Sequence, residues 1–138
     1  MNIAANPVVE ADQTIYLKDY QKPAFLVDSI NLDIQVYADH TIVNAILEMQ
    51  RQTEGDLVLL GRDLELKSIH LNSQQLTEND YQLDAEQLVI QNAPDRARIE
   101  TQVVIHPESN TMLEGLYQAG DLFVTQNEPE GFRKITFY

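Results

Sequence analysis

The feature that most constrains the fold is an apolar pattern with a period of two. Ile30, Leu32, Ile34 and Val36 alternate with Asn31, Asp33 and Gln35. Successive side chains of an extended chain point to opposite faces, so this spacing puts all four apolar side chains on one face of a strand. Tyr37-Ala38-Asp39-His40 then supplies a short polar break, and Thr41 to Arg51 resumes as a β-branched and apolar stretch. Two strand-forming runs around such a break read as a long hairpin.

The remaining chain also favours strands. Thr53-Glu54-Gly55-Asp56 marks a turn, and Leu57 to Leu60 is a continuous apolar run short enough to be a strand buried on both faces. Leu64, Leu66, Ile69 and Leu71 follow, with polar residues between most of them. Further strand candidates are Tyr81 to Leu83, Leu88 to Gln91, Ile99 to Ile105 and Leu122 to Gln126. No long stretch combines helical periodicity with a capped start, and Ala85 to Ile90 is too short for a helix. Short strands separated by turn residues predict an all-β, antiparallel domain of sandwich or saddle-like type.

At 138 residues and 43% hydrophobic content, the chain has the material for one domain and one packed core. Residues 1–12 read as a poorly anchored tail, which leaves 13–138 as the folded unit. At the other end, Ile135-Thr136-Phe137-Tyr138 stops within an apolar, β-prone run. Free ends are usually polar, so the run reads as a strand that continues in a longer polypeptide; the alternative is a terminal strand tucked into its own sheet.

Acidic residues outnumber basic ones 22 to 9, and the net charge of -13 repels a phosphate backbone, whose binding draws on Lys and Arg. Nucleic acid and anionic membrane are therefore disfavoured as partners. No apolar run approaches the ~20 residues needed to span a bilayer. The first residues lack the basic start and apolar stretch of a secretory signal, and with no cysteine there are neither disulfides nor thiolate ligands. The expected setting is soluble and cytoplasmic.

The residues offer little catalytic chemistry of their own. His40, His70 and His106 are the only histidines, and none lies within four positions of another. A zinc hydrolase needs roughly three protein ligands and an open position for water, so no metal ligands are assigned here. Ser29, Ser68, Ser73 and Ser109 sit in no Gly-x-Ser-x-Gly elbow, and the glycines are dispersed rather than gathered into a phosphate loop. No catalytic residue is assigned to this chain.

The segment from Asn110 to Tyr138 is more specific. It contains Leu113-Glu114-Gly115-Leu116-Tyr117 followed by Gly120, then Thr125-Gln126-Asn127-Glu128 and Glu130-Gly131-Phe132-Arg133. These motifs, in this order and spacing, resemble the end of the first domain of the bacterial aminopeptidase N family. Asp19-Tyr20 with Pro23, the strand from Asp28 to Val36, and Leu64 to Asn72 agree more loosely, so the resemblance runs from about Tyr20 onward.

That resemblance implies an amino-terminal β domain packed against its own thermolysin-like catalytic domain, in a zinc-dependent enzyme that removes amino-terminal residues from peptides. The catalytic domain would carry a His-Glu-x-x-His zinc motif and a Gly-Ala-Met-Glu-Asn exopeptidase motif, neither of which occurs here. By the same resemblance Glu128 binds the free α-amine of the substrate and Gln126 lines the pocket for its first side chain. A carboxylate is the natural acceptor for a terminal ammonium, which an internal amide does not present. Glu130 and Arg133 are assigned a local ion pair or a loop-holding role; Glu114 and Tyr117 are read as turn and packing residues. Two alternatives stay open: a stand-alone β-sandwich interaction module, and the scaffold domain of a catalytically silent relative.

Overall fold

The computed structural model describes residues 16–138. The tail expected over residues 1–12 lies outside the described residues. A single turn of 3-10 helix, Leu17–Asp19, precedes ten strands: β1 (Phe25–Val36), β2 (Thr41–Arg51), β3 (Leu57–Leu60), β4 (Glu65–Leu71), β5 (Gln74–Gln75), β6 (Gln82–Leu83), β7 (Gln87–Ile90), β8 (Arg96–Ile105), β9 (Gly115–Ala119) and β10 (Leu122–Gln126). Two further 3-10 turns span Pro107–Ser109 and Gly131–Lys134. The strands form a five-stranded sheet in the order β1-β2-β8-β4-β5, a three-stranded sheet β3-β7-β6 and the two-stranded hairpin β10-β9. Their pairings are antiparallel.

The hairpin read from the alternation is present, with Val36 opposite Thr41 and Ile30 opposite Leu47. Alternating β2 residues Thr41, Val43, Ala45, Leu47 and Met49 are buried, as are Ala97, Ile99, Thr101, Val103 and Ile105 of its neighbour β8. The apolar side chains among these meet Leu57 and Leu59 of β3 and Leu88 and Ile90 of β7 in one core cluster drawn from both sheets. Burial of this order supplies the main favourable term for a chain without disulfides.

Sequence and structure part company at four places. The apolar face of β1 forms as the spacing dictates, yet Leu32, Ile34 and Val36 remain 38%, 43% and 43% exposed while their β2 partners are buried. β1 is the edge strand of the sheet, and the second layer does not reach its outer half. The run Leu57 to Leu60 is not buried on both faces: Leu57 and Leu59 point into the core, whereas Val58 and Leu60 are exposed. β9 comes from a segment read as turn and packing residues. The carboxyl-terminal apolar run forms no strand. It follows the 3-10 turn Gly131–Lys134 as a buried segment, Ile135, Thr136 and Phe137, after which Tyr138 exchanges backbone hydrogen bonds of 2.7 and 3.0 Å with Leu60.

One irregularity was encoded. The apolar positions of β4 change phase between Leu66 and Ile69, and the β4–β8 register shifts between Leu66 and Ser68. A bulge adds one residue to one strand and swaps the faces of those that follow, so the phase change keeps apolar side chains on the covered side.

Candidate functional site

The segment around Gln126 and Glu128 is built on the β9–β10 hairpin. Gln126 closes β10 directly opposite Gly115, the first residue of β9. Asn127 to Glu130 then form a loop, with a cis peptide between Glu128 and Pro129, before the chain enters the Gly131–Lys134 turn. The Gly131 N–H donates to the Asn127 carbonyl at 2.9 Å and closes the loop across its base. Gln126 and Glu128 are both exposed, and Glu128 takes part in no ion pair among the described residues. A carboxylate so presented is available to a ligand.

Glycine is needed at two positions beneath this loop. A Cβ on Gly131 would overlap the Gln126 carbonyl oxygen and come within 2.8 Å of the Gly115 nitrogen. Gly115 has φ +73, a left-handed conformation that costs other residues energy, and a Cβ there would meet the Gly131 oxygen and the Lys134 Cβ at 2.9 Å. Three backbone segments thus touch without intervening side chains.

The charges flanking Glu128 are engaged elsewhere. Arg133 pairs with Glu130 at 2.7 Å, the local ion pair expected from the sequence, and reaches Glu86 at 3.9 Å. Arg62 also binds Glu86, and the Arg62 N–H donates to the Arg133 carbonyl at 2.9 Å. The Glu86 hydrogen bond holds the Arg62 guanidinium more firmly protonated than usual. Lys134, with only 6% of its side chain exposed, sends its ammonium to Asp63 at 3.0 Å and lies 3.9 Å from Glu114. Apart from the Glu130–Arg133 pair, this network was not legible in the sequence, because its partners lie as far as 71 positions apart.

His40 and His106 both contact Asp39, the first at its carboxylate and the second at its carbonyl. His40 stacks on Tyr37 with ring centroids 4.8 Å apart and binds Asp39. His106, read from sequence as an ordinary loop residue, is held by Glu65 at Nε2 (2.9 Å) and by Glu108 and the Asp39 carbonyl at Nδ1 (3.1 and 3.2 Å). Both ring nitrogens face acceptors, and the Glu65 carboxylate foremost raises the His106 pKa above its ordinary 6.5. Among the described residues no group of three His, Asp or Glu side chains is placed to hold a metal. A cavity of about 280 Å³ lies beside His106, Asn110, Met112 and Lys134, and its lining does not include Gln126 or Glu128.

Comparison with solved structures defines the class of fold: the chain is similar to part of a solved aminopeptidase. Aminopeptidase A of Legionella pneumophila, solved in complex with aspartic acid, superposes with a TM-score of 0.80 at 29% identity, covering 88% of this chain and 15% of that one. The fold is shared with an M1 zinc metallopeptidase of Deinococcus radiodurans (TM-score 0.67, 17% identity, covering 83% of this chain and 29% of that one).

In sequence the particular likeness is to bacterial aminopeptidase N. The chain is 38% identical over 133 residues to that of Escherichia coli K12 and 39% identical over 132 residues to that of Caulobacter vibrioides, 95% and 94% of this chain respectively. The protein of the same name from Haemophilus influenzae is 40% identical over 127 residues, 88% of this chain and 14% of that protein. The chain spans about 15% of the length of the first two of these relatives. No known protein-family model matches it.

Proposed function

We propose that residues 13–138 act as the amino-terminal β domain of a cytoplasmic, zinc-dependent aminopeptidase that removes amino-terminal residues from peptides. In this reading Glu128 receives the α-ammonium of the substrate and Gln126 lines the pocket for its first side chain. The observation that carries the reading is the presentation of Glu128: an exposed carboxylate on a loop closed at its base, beside a Glu130 already paired with Arg133. The similarity to aminopeptidase N over 95% of the chain supports the same role.

The residues described here do not fit a zinc site. His106 is turned onto two carboxylates and a carbonyl, His40 onto Asp39 and Tyr37, and no third ligand converges on either. In this reading zinc and the general base belong to a catalytic domain of the same polypeptide, a placement supported by the similarity to aminopeptidase N. This domain contributes substrate orientation: fixing the ammonium at Glu128 sets how far the first peptide bond lies from the anchor, so only the terminal bond is presented. An internal peptide segment has no ammonium for Glu128 and leaves the carboxylate unpaired, which discriminates against it.

The test is Glu128→Ala in the full-length enzyme, assayed on an aminoacyl chromogenic substrate with zinc content measured in parallel. Loss of a desolvated charge pair costs about 2–4 kcal/mol. At 1.4 kcal/mol per factor of ten, kcat/KM should fall roughly 30- to 700-fold with zinc unchanged. An unchanged kcat/KM would remove Glu128 from the site.

A further inference from the structure

Gln126 and Glu128 reach into solvent from the end of a two-stranded hairpin, and Glu128 has no ion-pair partner among the described residues to steady it. Their placement therefore depends on the backbone beneath them. We propose that Gly131, interlocked with Gly115, is the positioning residue that sets where Gln126 and Glu128 stand; the inference rests on the substrate role given to those two residues above.

Three observations converge on Gly131. Its missing Cβ is what allows the Gln126 carbonyl to lie against it. Its N–H binds the next carbonyl, that of Asn127, at 2.9 Å. Two successive peptide groups immediately before Glu128 are thus registered on a single residue. On the same side Gly131 meets Gly115, which is opposite Gln126 in the hairpin, so the same contact fixes both strands.

The clasp is itself tied to the core. Gly131 begins the 3-10 turn, and the segment that follows is anchored by buried Phe137 and by the paired backbone bonds between Tyr138 and Leu60 of β3. Lys134 closes the side next to Gly115, its stem against the glycine and its ammonium between Asp63 and Glu114. Any side chain at position 131 must push the Gln126 carbonyl away, and the displacement passes directly to Glu128. A misplacement of about 1 Å in a positioning group can cost on the order of 100-fold.

The experiment compares Gly131→Ala, Glu128→Ala, their double variant and Gly120→Ala in the full-length enzyme. Gly120, at φ +63, has nothing within 4 Å of an added Cβ, so its substitution strains the hairpin turn without pressing on Gln126. Gly131→Ala should raise KM for an aminoacyl substrate at least about tenfold while kcat changes less, and should add little to Glu128→Ala in the double variant, because both remove one interaction. Gly120→Ala should leave KM within about twofold. Lys134→Met, which keeps the stem and removes the ion pairs, should raise KM in the same direction and replaces Gly131→Ala if that variant does not accumulate folded. If Glu128→Ala raises KM while the clasp variant leaves it unchanged, the inference is overturned and the substrate role of Glu128 stands. If neither moves KM, the substrate role falls and the inference falls with it.

Discussion

Phe137 links the carboxyl-terminal segment to the core, and its truncation gives a quantitative test of the packing described above. The ring is 2% exposed and packs closely against Gly61, where even a Cβ would overlap its Cδ1 and Cε1 atoms. Phe137→Ala removes the transfer free energy of a buried ring and leaves a cavity. The neighbouring backbone is fixed by the Gly61 N–H bond to the Glu86 carbonyl (3.0 Å) and by the Leu60–Tyr138 pair, so collapse into the space is limited. The combined cost is about 3–5 kcal/mol.

For a chain of this size each kcal/mol lowers Tm by roughly 3–5 °C, so the melting temperature should drop by about 10–20 °C. Urea unfolding followed by tyrosine fluorescence is a suitable assay, since the chain contains six tyrosines and no tryptophan. The midpoint should fall while the slope with denaturant stays constant, as befits a change in stability alone. A loss below about 1 kcal/mol would refute the claim that the segment after the 3-10 turn is part of the core.

Other expectations follow from the same contacts. Ile34→Lys should change stability by only about 0.5 kcal/mol despite its apolar wild-type residue, because Ile34 is 43% exposed on the edge strand; a much larger loss in urea unfolding would mean that this face is covered. Arg51 spans three groups, binding Asp95 at 2.9 Å and the Gly55 and Ala93 carbonyls at 2.6 Å, with its guanidinium 4.4 Å from the Phe25 ring. Arg51→Met should cost about 2–3 kcal/mol, and Arg51→Lys should recover little of it because an ammonium cannot reproduce the fork. The raised pKa of His106 sets a sign for pH dependence: its stabilising contribution is full below 6.5 while Glu65 stays ionised, and is lost as pH rises through the higher folded value. His106→Gln should therefore lower stability more at pH 5.5–6 than at pH 8.5, and a gap that widens with rising pH would contradict the assignment.

The fold was legible wherever one face of a strand meets the core. Alternation in β1 recorded the pleat directly, since it is a property of neighbouring residues, whereas the β4 bulge was not read from the sequence and is identified by the register shift. Coverage was not legible: Leu32, Ile34 and Val36 have the same spacing whether or not a second layer reaches them, and Val58 and Leu60 gave no polar signal on their exposed face. The strand Gly115–Ala119 was hidden by its flanking glycines, which read as turn residues although Gly115 is required for close backbone contact. For the candidate site, motif order singled out Gln126 and Glu128 as the residues to test. The support beneath them depends on Glu86, Arg62 and Asp63 meeting Arg133 and Lys134 across the fold, and no local pattern encodes such pairs.

The substrate role of Glu128 is tested most directly by its discrimination for a free amine. In the full-length enzyme, kcat/KM would be compared for an aminoacyl substrate and its desamino analogue, in wild type and in Glu128→Gln, a variant that preserves shape and removes the charge. The wild-type enzyme should strongly prefer the amine-bearing substrate, and Glu128→Gln should reduce that preference by at least about tenfold through loss of activity on the amine substrate alone. Equal preference in the two enzymes would contradict the reading that Glu128 receives the amino terminus.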